Sequence, residues 1–195
     1  MRSDLLSRGP SVTTRAGEAV AVPPSTRLLL IASGIVVSTV TLSQRRFVAF
    51  FAGEGDLLLS PDDGVTLEAL RPSRLIVIDD AKREALLADP EAAGELVDRL
   101  AAALLEREES LAHLAEVVHR ERVLAKLLQL ARKFGRVAPD GIRLDLPLTH
   151  QLLADAVGAA RETVTVALRD LRQKGIVERK GRTYILKLPP RELGY

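Results

Sequence analysis

Two short segments with apolar residues at helical spacing lie on either side of Gly158, and this pair constrains the fold more than any other feature. Thr149 precedes the first segment and is a good N-cap, while Gly158 ends that segment and Gly175 ends the next. The apolar positions are Leu152, Leu153, Ala156 and Val157 in the first segment and Val164, Ala167, Leu168 and Leu171 in the second. Two short helices joined by a tight glycine-containing turn form a helix-turn-helix.

Strand-like runs surround this pair. The runs IVERK and RTYILKL flank a tight turn near Lys180-Gly181-Arg182, which predicts a β-hairpin with basic residues at its tip. The earlier run IRLDL predicts one more short strand. Together these elements predict a winged helix-turn-helix.

The opening of the second helix carries the residues that suggest a function. In a helix-turn-helix this end of the helix meets base edges in the major groove. Arg161 can donate two hydrogen bonds to guanine, and Glu162 can accept one from cytosine. An isolated Arg-Glu pair is usually a solvated helix start, but the complete motif around it favours DNA. Phosphate contacts are expected from the first helix's N-terminus and from further polar and basic residues: Thr149, Gln151, Thr163, Arg169, Lys180 and Arg182.

The N-terminal part of the chain has a different pattern. Residues 12–78 contain many short runs rich in β-branched residues, separated by glycine and proline turns, which predicts a β-sandwich or roll. From Asp80 the apolar period becomes helical, with a short helix before Pro90.

A long proline-free segment then shows a heptad repeat. Its apolar positions are Val97, Leu104, Leu111 and Val118 at one heptad position and Leu100 and Leu114 at the other, with Arg107 interrupting the second. A long helix with a narrow apolar seam is typical of a helix that pairs, so the length favours a homodimer. The alternative is that the seam packs on the chain's own β domain.

Composition excludes several classes of site. The chain has no cysteine, which rules out disulfides, thiolate zinc sites and cysteine-ligated iron–sulfur clusters. No apolar run is long enough for a bilayer, and the N-terminus lacks the apolar core of a signal peptide, so we expect a cytoplasmic protein without a membrane partner. Residues 1–119 hold 18 acidic against 12 basic residues, and residues 120–195 hold 16 basic against 8 acidic. This division suggests two domains, the second facing a polyanion.

Catalytic patterns are missing from the sequence. The chain's 3 histidines lack metal-ligand spacing, and no nucleophile-elbow or phosphate-binding glycine loop is present. Asp62-Asp63 and Asp79-Asp80 are sequence neighbours of the kind found in solvated turns. We therefore expect that the chain is not an enzyme.

Residues 149–188 resemble the C-terminal domain of the CRP/FNR family of bacterial transcription regulators, with LAxxVGxxRETVTxxLxxLxxxGIV spaced as in that family. HRERVLAKLLQLARKFG resembles the helix that follows the family's dimer helix. The resemblance implies an α+β fold in three parts: a β jelly-roll sensor domain at 1–90, a long dimerisation helix at 91–119, and a winged helix-turn-helix domain at 120–195. It also implies that Arg161 and Glu162 read bases.

The sequence departs from the family in two places. Val166 stands where many members carry a second base-contacting Arg; valine can touch a thymine methyl but cannot donate to guanine. In FAGEGDLLLSPDDGVTLEALRPSRLIVI, Gly53-Glu54 comes too early and Asp62-Asp63 places negative charge where a cyclic-nucleotide phosphate would need positive charge. We expect no cofactor, and cyclic AMP binding in particular is not expected.

The expected function is a homodimeric regulator that reads palindromic double-stranded DNA without cyclic nucleotide. By resemblance it is an activator that also contacts RNA polymerase. One alternative is the same DNA-binding protein controlled by an unidentified small ligand in the β domain. Another is a protein-interaction module.

Overall fold

The computed structural model describes residue 6, residues 8–181 and residues 183–187. The chain forms two compact units, Met1–Glu108 and Glu109–Tyr195. The strands are β1 (Ser11–Thr14), β2 (Thr26–Ser33), β3 (Val36–Leu42), β4 (Arg45–Ala52), β5 (Leu57–Leu59), β6 (Val65–Ala69), β7 (Ser73–Asp79), β8 (Gly135–Ala138), β9 (Gly141–Leu144), β10 (Val177–Lys180) and β11 (Thr183–Leu186). The helices are α1 (Asp80–Ala88), α2 (Pro90–Leu114), α3 (His119–Phe134), α4 (His150–Val157) and α5 (Arg161–Gln173).

The first unit contains two antiparallel sheets. Their strand orders are β1-β7-β2-β5 and β4-β3-β6. Side chains of a strand alternate between its faces, so Leu29 and Ile31 of β2 join one apolar cluster with Val36 and Phe50 of the other sheet. Leu30 points to the opposite face, where a second cluster includes residues of α1 and α2. The larger sheet is therefore buried on both faces.

Gly34 permits the turn between β2 and β3. Its φ is +93°, and an added Cβ would meet Ser73 and the carbonyl of Pro72. Both the conformation and the close approach require glycine.

The second unit contains the helix-turn-helix and a four-stranded antiparallel sheet of order β10-β11-β9-β8. The predicted fold class is confirmed: an α+β chain with an N-terminal β domain, a long helix and a C-terminal winged helix-turn-helix. β8 was not predicted; it pairs with β9 across the turn at Pro139-Asp140. The boundary between the two units falls within α2. The division of the chain into three parts at 1–90, 91–119 and 120–195 stays a prediction.

The predicted long helix is wrong at its C-terminal end, because α2 stops at Leu114 instead of continuing to residue 119. The guanidinium of Arg122 donates to the carbonyl of Glu116 from Nε at 3.0 Å and from Nη2 at 2.5 Å. These hydrogen bonds hold the segment between α2 and α3 at a residue that lies two positions beyond the end of α2. Val118 consequently lies outside α2, at the N-cap position of α3.

Candidate nucleic-acid interface

The first helix of the motif, α4, is short and well defined at both ends. The hydroxyl of Thr149 accepts a hydrogen bond from the backbone N–H of Leu152 at 3.0 Å. Gly158 ends the helix in the left-handed region, with φ +63° and ψ +35°. The predicted cap and the predicted glycine turn are thus both present. The buried face of α4 consists of Leu152, Leu153, Ala154, Ala156 and Val157.

The second helix, α5, buries one face and exposes the other. Its buried residues are Val164, Ala167, Leu168 and Leu171, as the apolar spacing predicted. Arg161, Glu162 and Arg169 are exposed, and the side chain of Val166 is 48% exposed to solvent. Ala160 occupies the N-cap position and provides no side-chain cap. The exposed face therefore begins with Arg161 and Glu162, the first two residues of α5. This helix lacks the polar N-cap residue that usually precedes a helix.

Most of the other predicted DNA contacts lie on the surface of the second unit. Gln151 is exposed and donates to the carboxylate of Asp155 at 2.7 Å. Thr163 is half-buried. Arg182 lies outside the described residues.

The hairpin beside the motif carries charges that are already paired. Lys180 Nζ lies 2.9 Å from the Asp140 carboxylate and 3.7 Å from that of Glu178. The hydrogen bond with Asp140 raises the pKa of Lys180 and lowers the pKa of Asp140. Asp140 thus offsets part of the positive charge predicted for the hairpin tip.

Arg122 was not singled out from the sequence, yet it holds two segments together. Besides Glu116, its Nη1 donates to the carbonyl of Val157 at 3.2 Å. Leu114 lies against the turn of the motif: a Cβ added to Gly158 would be 3.7 Å from its Cδ2. The end of α2 and the segment after it are therefore bound directly to the helix-turn-helix.

A polar cluster joins the last turns of α2 to α3. Lys126 and Gln129 are both 5% exposed, and Lys126 Nζ donates to Gln129 Oε1 at 2.6 Å and to Ser110 Oγ at 3.0 Å. Gln129 Nε2 donates to the Glu109 carboxylate at 3.1 Å. These buried polar groups satisfy one another, as such groups must when water is excluded.

The predicted dimer seam is apolar and open. Five of its six residues lie on α2, with exposed fractions of 61% for Val97, 39% for Leu100, 57% for Leu104, 66% for Leu111 and 42% for Leu114. Val118, beyond the helix, is 51% exposed. Leu105, 65% exposed, was missed because it falls outside the two heptad positions.

Neither a metal site nor a membrane span is found in the described part of the chain. No group of three His, Cys, Asp or Glu residues there could hold a metal ion. None of the helices among those residues has the length and apolarity needed to cross a bilayer.

Comparison with known proteins identifies the motif. A family model described as the Crp-like helix-turn-helix domain matches residues 121–191. The Global nitrogen regulator of Synechococcus elongatus is 39% identical over 95 residues, covering 49% of this chain and 43% of that protein. The CRP-like cAMP-activated global transcriptional regulator of Mycobacterium tuberculosis is 35% identical over 107 residues, covering 55% and 48%. The chain therefore matches somewhat less than half the length of each of these two relatives.

Similarity of structure extends further than similarity of sequence. A solved structure of a CooA mutant from Carboxydothermus hydrogenoformans gives a TM-score of 0.78 at 24% identity and covers 98% of this chain and 89% of that chain. This shows a shared fold. The two curated relatives are regulators by name, in agreement with the prediction that the chain is not an enzyme. The helix-turn-helix, the hairpin beside it and these similarities lead to one conclusion: residues 121–191 form a Crp-like helix-turn-helix domain, and the chain resembles the CRP/FNR family of transcription regulators.

Proposed function

We propose that this chain is a homodimeric transcription regulator that binds palindromic double-stranded DNA. The observation that carries this proposal is α5, which buries its apolar face and exposes Arg161, Glu162 and Val166 from its first two turns. A helix presented in this way fits the major groove, where side chains near its N-terminus reach base edges.

Arg161, Glu162 and Val166 each have a distinct role in this proposal. Arg161 donates to the O6 and N7 of guanine, and Glu162 accepts from the amino group of cytosine. Val166, one turn after Glu162, contacts a thymine methyl. Contacts to phosphate, which fix register without reading sequence, come from the other residues that the sequence predicted: Thr149, Gln151, Thr163, Arg169, Lys180 and Arg182.

The exposed seam of α2 supports the dimer. Water-exposed apolar side chains repeated along one helix are stabilised when a second copy covers them. A two-fold axis would present two copies of α5 to successive major grooves, with half-site centres about 34 Å apart.

The turn at Asp62-Asp63 supports DNA binding without a cyclic nucleotide. Both residues are exposed, and their negative charge lies in the segment where a cyclic-nucleotide phosphate would need positive charge. Control by an unidentified small ligand is the competing proposal, and a ligand-dependent change in DNA affinity would favour it. Activation and contact with RNA polymerase stay predictions from the family resemblance, as does a cytoplasmic location.

In vitro selection from random duplexes tests the proposal. The ligand-free protein is expected to enrich an inverted repeat with half-site centres about 10 to 10.5 base pairs apart. Enrichment of a single unrepeated site would contradict the dimer, and no enrichment would contradict sequence-specific binding.

A further inference from the structure

His150 connects three elements of the second unit through hydrogen bonds. Its Nδ1 lies 2.9 Å from the hydroxyl of Thr165 in α5, and its Nε2 lies 3.2 Å from Nη1 of Arg179 in β10. The hydroxyl of Thr165 in turn donates to the backbone carbonyl of Arg161 at 2.9 Å. A continuous chain of bonds therefore runs from the hairpin, through the first residue of α4, to the first turn of α5.

Counting donors and acceptors determines the state of the His150 ring. Thr165 has one hydroxyl hydrogen, and Arg161's carbonyl accepts it, so the Thr165 oxygen must accept from His150 Nδ1–H. A guanidinium can only donate, so His150 Nε2 must be the acceptor for Arg179. The bonds are all satisfied by a neutral ring with its hydrogen on Nδ1.

Both ends of this chain of bonds are at positions that matter for DNA binding. Arg161 begins α5, where Ala160 gives no side-chain cap and the Thr165 hydroxyl binds the Arg161 carbonyl. At the other end, Arg179 is also held by the carbonyl of Gly181 at 3.1 Å and by the ring of Tyr184, 5.5 Å from its guanidinium carbon. The hairpin end is thus fixed independently of His150.

We propose that His150 is a positioning residue for DNA recognition, whose neutral ring ties the first turn of the recognition helix to the hairpin and so directs Arg161 toward its base. This inference rests on the proposed function. It gives the imidazole an indirect role, in which His150 itself touches neither base nor phosphate.

The charges around His150 favour the neutral ring. Arg161 on α5 and Arg179 on β10 face it, while Asp155 on its own helix accepts from Gln151. Burial lowers the pKa of His150, and Arg179 and then Arg161 lower it further. Protonation would place an N–H on Nε2 against the guanidinium of Arg179 and break the link to the hairpin.

Three substitutions separate positioning from direct contact. His150→Gln keeps one donor and one acceptor but cannot titrate, His150→Leu removes both, and Thr165→Val removes the hydroxyl at nearly constant shape. Fluorescence anisotropy with the full chain should show about 3- to 10-fold weaker binding to the selected palindrome for His150→Leu and for Thr165→Val, as for the loss of a hydrogen bond of modest net strength. Binding to scrambled duplex should change less than about 2-fold, and His150→Gln should restore the affinity. His119→Leu, a change at an exposed histidine that begins α3, is the control.

Two outcomes of this experiment would overturn the inference. Equal losses on palindrome and scrambled duplex in His150→Leu would make His150 a direct phosphate contact. Unchanged affinity in Thr165→Val would show that the chain of bonds does not position Arg161.

The same proteins also give a test by pH. The ratio of specific to scrambled affinity should fall in the wild type as pH drops below the ordinary histidine pKa of about 6.5, because the lowered pKa of His150 keeps the ring neutral above that pH, but it should stay constant in His150→Gln. Parallel profiles for the two proteins would also overturn the inference.

A measurement without DNA tests the bond chain separately from the function. Nitrogen-15 chemical shifts of labelled histidine at about pH 8, above the ordinary histidine pKa, should show His150 with its hydrogen on Nδ1, and Thr165→Val should lose that preference. A ring protonated on Nε2 in the wild type overturns the inference even if DNA binding is specific. The expected tautomer together with no selective DNA binding overturns the proposed function and, with it, the positioning role.

Discussion

At the scale of single residues, the account depends on which side chains of α5 read bases and which only meet phosphate. Arg161→Ala should weaken binding to the specific site by about 1–3 kcal/mol and change binding to random DNA much less, because a bidentate pair with guanine is lost. Arg169→Ala, an exposed cation on the same helix, is the matched control and should weaken both by similar factors. Anisotropy titrations on both duplexes measure the difference. Equal losses in Arg161→Ala would make it another phosphate contact.

Substitution of Val166 by arginine should give the protein a new base preference at one position of each half-site. Val166→Arg should create a preference for guanine worth about 1–3 kcal/mol at one base pair of each half-site, since Arg can donate to O6 and N7 where valine cannot. Random-site selection on the two proteins gives the base preferences. Val166→Lys adds the charge without the planar fork and should shift the preference less. Identical selected sites for the wild type and the Val166→Arg protein would mean that this position does not reach the bases.

At the scale of elements, the turn between α4 and α5 depends on the backbone of Gly158. Gly158→Ala should lower the free energy of unfolding by about 1–2 kcal/mol, because a side chain is unfavourable at φ +63°. Gly158→Asn should cost less, since asparagine tolerates this region. Urea unfolding followed by circular dichroism measures both. An added Cβ would be in ordinary contact with Leu114 Cδ2 at 3.7 Å, so a loss well above this range would point to a steric rather than a backbone cause.

Negative charges introduced into the exposed apolar seam of α2 test whether this seam forms the dimer. The double substitution Leu104→Asp and Leu111→Asp should split the dimer, because carboxylates in a paired apolar seam lose hydration without gaining partners. Sedimentation velocity measures the change in mass. Leu87→Asp, which changes another exposed leucine (57%) on α1, should leave the dimer intact. A double variant that still sediments as a dimer would show that the seam lies elsewhere.

At the scale of the whole molecule, two histidines make stability depend on pH. Burial is the main cause that lowers the pKa of both His113 and His150. The unfolded chain therefore binds more protons, so stability is complete above the ordinary histidine pKa of about 6.5 and is lost as pH falls through and below it. Urea midpoints should be constant between about pH 8 and 7 and decline toward about pH 5.5. The His113→Gln/His150→Gln protein should decline less; an equal decline would assign the effect to other groups.

Local patterns predicted the helix-turn-helix well, and long-range contacts explain what they missed. Thr149, Gly158 and the apolar spacing of α5 act within a few residues, so the sequence pattern is sufficient to predict them. The predicted C-terminal end of α2 was wrong because no glycine or proline marks where this helix stops. The segment just after it is held by hydrogen bonds from Arg122 to the carbonyl of Glu116, six residues earlier in the chain. The bond chain through His150 was missed because its partners lie 15 and 29 residues away.

The central claim is that ligand-free protein binds a palindrome selectively as a dimer. The most direct test is fluorescence anisotropy on the selected palindrome, its single half-site and a scrambled duplex at about 0.15 M salt, with and without cyclic AMP. The account predicts binding to the palindrome at least about 10³-fold tighter than to scrambled DNA, a clear loss on the half-site, and no change with cyclic AMP. Equal affinity for all three duplexes, in the presence or absence of the nucleotide, would contradict it.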